Sequence, residues 1–351
     1  MRITPALRLI PFLVLLLAPV AGPDPAAAHV VTDDAGRSFE IPDRIGRVFA
    51  AGPPATIILY TLAPDKLLGW TRANSPEAAE YLDPKAAALP ELGRLTGRGD
   101  TANIETLLRA RPDLILDYGT VNQTYASLAD RVQAQTGVPT LLIDGGFDRI
   151  PLAYRTLGAL LGATERAETL AAYAERVLAE ARGLADAVPA DRRPRVYYAR
   201  GTDGLDTAVK GSINAELIDR VGAVNVADAA GSGNLAKVSP EQVLAWNPDV
   251  ILTLDRNFQA AVGRDPRWQG VRAVADGRVY RAPDLPVGWF DPPPSVNRLI
   301  GLPWLARVLY PDRSGDDIRE QTRTFYRLFY RHELTDDQLD RLLAGAVPRR
   351  P

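Results

Sequence analysis

Arginine and aromatic side chains are the groups in this chain best suited to chemistry, and that chemistry is ligand binding rather than catalysis. The 351 residues include no cysteine and two histidines, His29 and His332. Thiol chemistry, iron–sulfur clusters and cysteine-type zinc sites are therefore excluded. A Ser–His–acid triad needs a histidine placed in a cleft, whereas His29 begins the expected mature chain and His332 lies in a charged C-terminal stretch. We therefore expect no enzymatic activity, no cofactor and no metal site.

The candidate ligand-binding residues lie near the ends of predicted strands and in turns. Guanidinium groups bind planar carboxylates, catecholates and oxyanions, and aromatic faces suit flat ligand skeletons. The Gly-Trp-Phe run at 288–290, followed by the proline-rich turn 291–294, is expected to expose its rings. The full candidate set is Trp70, Arg72, Arg94, Tyr118, Arg200, Lys210, Arg256, Trp289 and Phe290.

The composition is that of a folded protein with no preference for nucleic acid. Hydrophobic residues make up 46% of the chain, which is enough for a sizeable core, and the length allows about two domains. Basic and acidic residues number 41 and 43, so the formal net charge of −2 gives no general attraction for a polyanion. Aromatic residues make up 7% of the chain, which argues against a stacking platform for single strands.

The first 28 residues have the pattern of a secretory signal peptide. Arg2 and Arg8 form a positive n-region, residues 12–18 form an apolar h-region, and three alanines at 26–28 offer a cleavage site. The apolar run is far shorter than the ~20 residues that span a bilayer. We therefore expect cleavage before His29 and an exported mature chain that is not inserted in the membrane.

A duplicated segment is the strongest indication of the fold. Residues 105–116 (ETLLRARPDLIL) resemble residues 241–252 (EQVLAWNPDVIL), with identical residues at half of the aligned positions. In each copy we expect a short amphipathic helix that ends near Pro112 or Pro248 and is followed by a buried strand. Two distant copies are too few for a solenoid. They predict two similar lobes instead.

Strand-like runs separated by helical patterns predict an α/β protein with mostly parallel sheets. Residues 165–188 carry apolar residues at helical spacing and are rich in Ala, Glu, Leu and Arg, so one stiff helix is expected there. The predicted fold is two similar Rossmann-like lobes joined by this long rigid α-helix, with ligand in the cleft between them. The predicted segments are 1–28 (signal peptide), 29–150 (N-terminal lobe), 151–190 (helical connection), 191–312 (C-terminal lobe) and 313–351 (helical tail).

Taken together, several motifs resemble those of one family of transport proteins. They are the two Glu-x-x-Leu-x3-Pro-Asp-x-Ile segments, Asp265-Pro-x-Trp268 followed by residues 273–280, and a Gly-Ala-x3-Ala pattern that begins at Gly162. Nearly all of the mature chain resembles the periplasmic substrate-binding proteins of ABC importers for iron–siderophore, haem and cobalamin. Residues 289–304 resemble a subgroup that includes proteins for iron complexes and for molybdate or tungstate.

The resemblance implies a monomeric periplasmic protein that captures an iron chelate and delivers it to a permease with its ATPase. It also implies that Glu105 and Glu241, each in the Glu position of a repeat, meet arginines of the permease. A carboxylate in the first helical turn also offsets the helix dipole, which is worth ~0.3–1 kcal/mol. The lack of a cysteine for lipidation points to a free protein in the periplasm of a two-membrane cell.

Other functions remain open at this point. The ligand could be cobalamin, haem or an oxyanion such as molybdate or tungstate. An oxyanion would need a small pocket of arginine, backbone N–H and hydroxyl groups, with no need for Trp289. A sensor or adaptor without a permease is a further alternative, as is an enzyme on a doubly wound scaffold.

Overall fold

The computed structural model describes residues 28–96, 104–313 and 317–348. The predicted signal peptide, apart from Ala28, lies outside the described residues. The polypeptide between its first and last described residues forms two α/β lobes, a long helix between them and a helical C-terminal segment. No helix in the described part of the chain has the length and apolar character needed to cross a bilayer.

The N-terminal lobe is built on a three-stranded parallel sheet in the order β3-β4-β5, preceded by an antiparallel hairpin of β1 and β2. Strands that are buried on both faces have mostly apolar sequences. Strands β3 and β4 are of this kind, since they are buried along nearly their whole length. The elements are β1 (Ala28–Thr32), β2 (Ser38–Pro42), β3 (Val48–Ala50), α1 (Pro53–Leu62), α2 (Pro76–Ala79), α3 (Pro84–Ala87), α4 (Ile104–Ala110), β4 (Leu114–Gly119), α5 (Gln123–Thr136) and β5 (Thr140–Asp144).

Two helices connect the lobes: α6 (Ile150–Leu160) and α7 (Thr164–Asp186). The 23 residues of α7 extend about 34 Å at ~1.5 Å per residue. The long helix that the sequence predicts at 165–188 is therefore confirmed. Its apolar face is buried against α6 and the C-terminal lobe, within one hydrophobic cluster that contains Leu116 of β4 and Leu252 of the C-terminal lobe. The helix is thus embedded in the core and does not stand free.

The C-terminal lobe contains a four-stranded parallel sheet in the order β11-β10-β6-β8 and a separate antiparallel pair, β7-β9. The mostly parallel sheets predicted from the sequence are confirmed. The elements are β6 (Arg195–Ala199), β7 (Asp206–Ala208), α8 (Glu216–Arg220), β8 (Val224–Asn225), β9 (Leu235–Lys237), α9 (Pro240–Trp246), β10 (Val250–Thr253), α10 (Arg256–Ala261), α11 (Arg272–Ala275), β11 (Val279–Arg281) and α12 (Arg298–Leu309).

The C-terminal segment packs against both lobes. It comprises α13 (Ile318–Phe325), a π-helical turn (Tyr326–Tyr330) and α14 (Asp336–Leu343). Tyr60 of the N-terminal lobe donates a hydrogen bond to the carbonyl oxygen of Tyr330 at 2.9 Å. Trp304 of the C-terminal lobe donates from Nε1 to the carbonyl oxygen of Ala346 at 2.7 Å. This segment is therefore a second connection between the lobes.

Candidate functional site

A cavity of about 950 Å³ lies between the two lobes. One wall comes from the N-terminal lobe: the start of α1, the loop around residues 70–78 and the end of β4 at Asp117–Gly119. The opposite wall includes Arg200, directly after β6, and residues 284–287 and 291–294. The cavity therefore lies outside the carboxyl ends of parallel strands, where ligands bind in open α/β sheets.

Three of the predicted arginines line this cavity, namely Arg72, Arg94 and Arg200. Arg200 forms an ion pair with Asp291, whose side chain is almost fully buried. Burial raises the pKa of Asp291, although the adjacent Arg200 acts in the opposite direction. The charge of Arg200 is therefore largely committed to this pair. Arg72 is exposed at the cavity wall.

Asp117 and Tyr118 lie side by side at the end of β4 and form part of the cavity wall. Oδ1 of Asp117 accepts hydrogen bonds from Thr96 Oγ1 at 3.2 Å and from the Tyr118 N–H at 3.0 Å. Burial raises the pKa of Asp117 to about 6, because these two donors only partly offset the loss of solvent. The cavity therefore contains a carboxyl group that changes its charge near neutral pH.

Two buried donors of the cavity wall have no hydrogen-bond partner among the described residues: the Tyr118 hydroxyl and Nδ2 of Asn74. Burial raises the pKa of Tyr118 well above its ordinary value, so the phenol keeps its proton and can donate it to a ligand. A buried donor without a partner costs about 1–3 kcal/mol. A ligand that accepts hydrogen bonds would remove this cost at both atoms.

Further hydroxyl and amide groups surround these two donors. They come from both lobes, so a ligand bound here would contact both halves of the molecule. The residues are Thr56, Thr71, Ser75, Thr96, Thr120, Asn214 and Asn234.

Trp70 also lines the cavity, but most of its ring belongs to the core. It is 5% exposed, its ring centroid lies 5.5 Å from that of Tyr60, and its Nε1 donates to the carbonyl oxygen of Ala86 at 2.7 Å. The polar atom of Trp70 is therefore used by the fold. Only part of its apolar surface is available to a ligand.

The expectation that Trp289 and Phe290 are exposed is wrong, because both side chains are fully buried. Trp289 donates from Nε1 to the Tyr326 hydroxyl at 3.1 Å, and the Phe290 ring lies 4.5 Å from that of Tyr198. A Cβ at Gly301 would lie 2.1 Å from the carbonyl oxygen of Trp289. The glycine therefore lets this segment pack directly on α12, and the prolines that follow it face the cavity instead.

Lys210 and Arg256 are exposed side chains outside the cavity wall. Lys210 makes a backbone bridge to Ser232, and Arg256 begins α10. Each follows a strand, as the sequence indicates, but neither residue lines the cavity. The structure thus brings together Trp70, Arg72, Arg94, Tyr118 and Arg200, and leaves four of the nine candidates elsewhere.

Arg298 is a fully buried residue that the sequence reasoning missed. Its guanidinium donates to the carbonyl oxygens of Ile213 at 2.8 Å and Gly145 at 3.3 Å, which belong to opposite lobes. It also lies 4.3 Å from the ring centroid of Phe147 and 3.3 Å from a carboxylate oxygen of Glu216. Arg298 therefore joins the lobes. An arginine at the first position of the mostly apolar helix α12 was the available signal.

Glu105 and Glu241 are exposed in the first turns of α4 and α9. Glu105 pairs with Arg109 at 2.7 Å, and both side chains are mostly exposed. The pKa of Glu241 is lowered, chiefly by its own backbone N–H and then by the Ser239 side chain. Both carboxylates thus lie exposed on the surface of their lobes.

Comparison with known proteins shows that this chain is similar to periplasmic binding proteins. A family model described as a periplasmic binding protein matches residues 50–285. The molybdate-binding protein MolA of Haemophilus influenzae is 29% identical over 340 residues, covering 90% of this chain and 94% of MolA.

Solved structures agree with this grouping. An ABC transporter solute-binding protein from Sulfurospirillum deleyianum has a TM-score of 0.82 and 29% identity, with 89% of this chain and 98% of that chain covered. CeuE of Helicobacter pylori, solved with nickel and histidine, has a TM-score of 0.69 over 90% of this chain and 99% of its own. At 14% identity, this second likeness shows the fold alone.

Proposed function

Because this chain belongs to the periplasmic binding protein family, we propose that it captures an anionic solute in the inter-lobe cavity and delivers it to an ABC permease. Like the proteins that it resembles, it is a binding protein for transport and not an enzyme. We place it in the periplasm, a proposal that the family and the predicted signal peptide support.

The proposed ligand is a tetrahedral oxyanion of the molybdate and tungstate class. The observation that carries this assignment is a pair of buried donors in the cavity wall, Tyr118 Oη and Asn74 Nδ2, for which the residues that the structure describes supply no partner. An oxyanion offers only acceptors, so it satisfies both, and Arg72 and Arg94 on the same wall supply positive charge. The description of the relative MolA as molybdate-binding supports the same class.

A ferric chelate is the second candidate, and the size of the cavity favours it. A volume of about 950 Å³ suits a ligand of siderophore size better than a single small anion. Catecholate oxygens are also acceptors for arginine and tyrosine. Substitution of Trp289 does not separate the two candidates, because its ring is buried in the core.

Isothermal titration calorimetry on the mature protein separates the candidates. The titrants are molybdate, tungstate, sulfate and phosphate, followed by ferric citrate, ferric catecholate, ferric hydroxamate, haem and cobalamin. We expect saturable one-site binding of molybdate and tungstate. Binding of a chelate but of no oxyanion would transfer the assignment to the second candidate, and binding of none would reject both.

Two variants connect such binding to the cavity. Asn74→Asp places a negative charge beside the ligand while keeping the side-chain shape, so oxyanion binding should fall by more than tenfold. Arg256→Gln removes a positive charge outside the cavity, and it should leave the affinity unchanged. Equal effects of both variants would mean that only the net charge of the protein matters.

We propose that Glu105 and Glu241 are the points at which the two lobes meet the permease. Helices α4 and α9 run antiparallel to the strands that directly follow them, so their first turns lie near the sheet edges that flank the cavity. Exposed ion pairs are worth only ~0–1 kcal/mol each, which suits a partner that must dissociate after each delivery. Glu105→Arg with Glu241→Arg should abolish uptake by cells while ligand affinity is retained; unimpaired uptake would favour a sensor or adaptor.

A further inference from the structure

We propose that Asp117 binds the oxyanion as a neutral carboxylic acid, so that each ligand enters the cavity together with one proton from the solvent. The inference rests on the proposed oxyanion ligand. It adds a third hydrogen-bond donor to the site and a proton stoichiometry to the binding reaction. Asp117 is then a ligand-binding residue and not a repulsive charge in the wall.

The two oxygens of the Asp117 carboxyl group differ in their surroundings. Oδ1 accepts the hydrogen bonds from Thr96 Oγ1 at 3.2 Å and from the Tyr118 N–H at 3.0 Å. Oδ2 accepts no hydrogen bond from the described residues, and the side chain forms part of the cavity wall. A proton taken up by this carboxyl group is therefore carried by Oδ2, because both donors at Oδ1 stay in place.

The charge of Asp117 is poorly compensated within the fold. Across the described ranges of the chain, Asp117 takes part in no ion pair. Arg37 attracts it from a distance, but the Arg37 guanidinium is itself paired with Asp33 and Asp130. Burial therefore dominates and raises the pKa of Asp117 to about 6.

Other charged groups of the cavity are less ready to take up a proton. Asp291 is a second buried carboxyl group of the wall, but it already forms an ion pair with Arg200. Glu77 and Asp284 are exposed, so solvent screens their charges. The charged residues that share the cavity with Asp117 are Arg72, Glu77 and Arg94 on the wall of the N-terminal lobe, and Arg200, Asp284 and Asp291 on the opposite wall.

A bound oxyanion determines the charge of Asp117 through Coulomb repulsion. Two negative charges within a few ångströms of a buried carboxylate favour its neutral form. The protonated group then donates from Oδ2 to the ligand, alongside Tyr118 Oη and Asn74 Nδ2, so a repulsion is replaced by a hydrogen bond. The proton comes from the buffer, and the complex contains one oxyanion and one added proton.

Titration calorimetry with molybdate, in buffers that differ in ionisation enthalpy, counts the protons taken up on binding. We expect about one proton per molybdate near pH 7.5, and an affinity that falls nearly tenfold between about pH 7 and about pH 8. Molybdate keeps both of its charges across this range, so the change reports on the protein.

Two variants assign the proton to its residue. Asp117→Asn should take up no proton and should bind with the same affinity at both pH values, because its Nδ2 replaces the Oδ2 hydroxyl as a donor. Asp65→Asn is the matched control, at an exposed aspartate of the same lobe outside the cavity wall. It should retain the proton uptake and the pH dependence of the unmodified protein. Melting temperatures establish that both variants fold.

The outcomes separate this inference from the ligand class that it rests on. Molybdate binding without proton uptake by the unmodified protein would overturn the inference alone, and this measurement needs no variant. Uptake that persists in Asp117→Asn would also overturn it, since another group would then carry the proton. Binding of no oxyanion at any pH would overturn the inference together with the proposed ligand class.

Discussion

Substitution of Asp117 by asparagine tests the electrostatics of the cavity most sharply. The side chain is 6% exposed and lies in the cavity wall. Both of its hydrogen bonds, from Thr96 Oγ1 and the Tyr118 N–H, end on the same oxygen, Oδ1. Asparagine can therefore keep both bonds through its own Oδ1 while it removes the titrating group. The substitution therefore removes the charge of the side chain while its shape and hydrogen bonds are kept.

The size of the effect follows from the pKa. Burial raises the pKa of Asp117 from its ordinary value of 3.8 to about 6, so the folded protein holds this proton more tightly than the unfolded chain does. That contribution to stability is complete below about pH 4 and is lost as the pH rises through about 6. Roughly two pH units at ~1.4 kcal/mol each give about 3 kcal/mol.

Urea denaturation at a series of pH values measures this contribution. Asp117→Asn should match the unmodified protein near pH 4 and exceed its free energy of unfolding by up to about 3 kcal/mol near pH 7.5. Glu77→Gln, at an exposed carboxylate of the same wall, serves as the control and should show no such gain. An offset for Asp117→Asn that does not change with pH would refute the reasoning. The same variant should bind molybdate more tightly near pH 7.5, because a like charge is gone.

Three further predictions concern single side chains. Arg298→Met should lower the free energy of unfolding by about 3–5 kcal/mol, because buried carbonyl groups lose their donor. Arg220→Met breaks the half-exposed pair with Asp148 and should cost at most ~1 kcal/mol. Guanidinium denaturation compares the two variants, and equal costs would contradict the assignment of Arg298. Trp289→Ala should cost about 3–5 kcal/mol in the same assay, since the ring is fully buried; a change below ~1 kcal/mol would contradict the core location. Tyr118→Phe should weaken oxyanion binding roughly tenfold by calorimetry, with no loss of stability, because its hydroxyl has no partner in the described part of the chain. Unchanged affinity would remove it from the site.

The two-lobed architecture could be predicted because the same helix–strand motif occurs twice in the sequence. The repeat at 105–116 and 241–252 folds as a helix followed by a parallel strand in each lobe, and the Ala- and Glu-rich segment forms α7. These features depend on local spacing and on prolines, which a single sequence displays directly. The general location of the cleft followed from the order of strands and helices.

The particular residues of the cavity were harder to predict, because they depend on contacts between distant segments. Trp289 is buried because Gly301 admits its backbone and Tyr326 accepts its N–H. Neither partner is near it in sequence. Asp117 and Arg298 were missed for the same reason: an aspartate after a strand and an arginine beginning a helix look ordinary until burial removes their solvent.

The central claim is that an oxyanion binds between the lobes, against the end of β4. Crystals grown with molybdate, measured at the molybdenum absorption edge, test it directly by anomalous scattering. We expect one strong anomalous peak within hydrogen-bond reach of Tyr118 Oη and Asn74 Nδ2. A crystal soaked to saturation that shows no peak there, or shows its only ordered peak outside the cavity, would contradict the account.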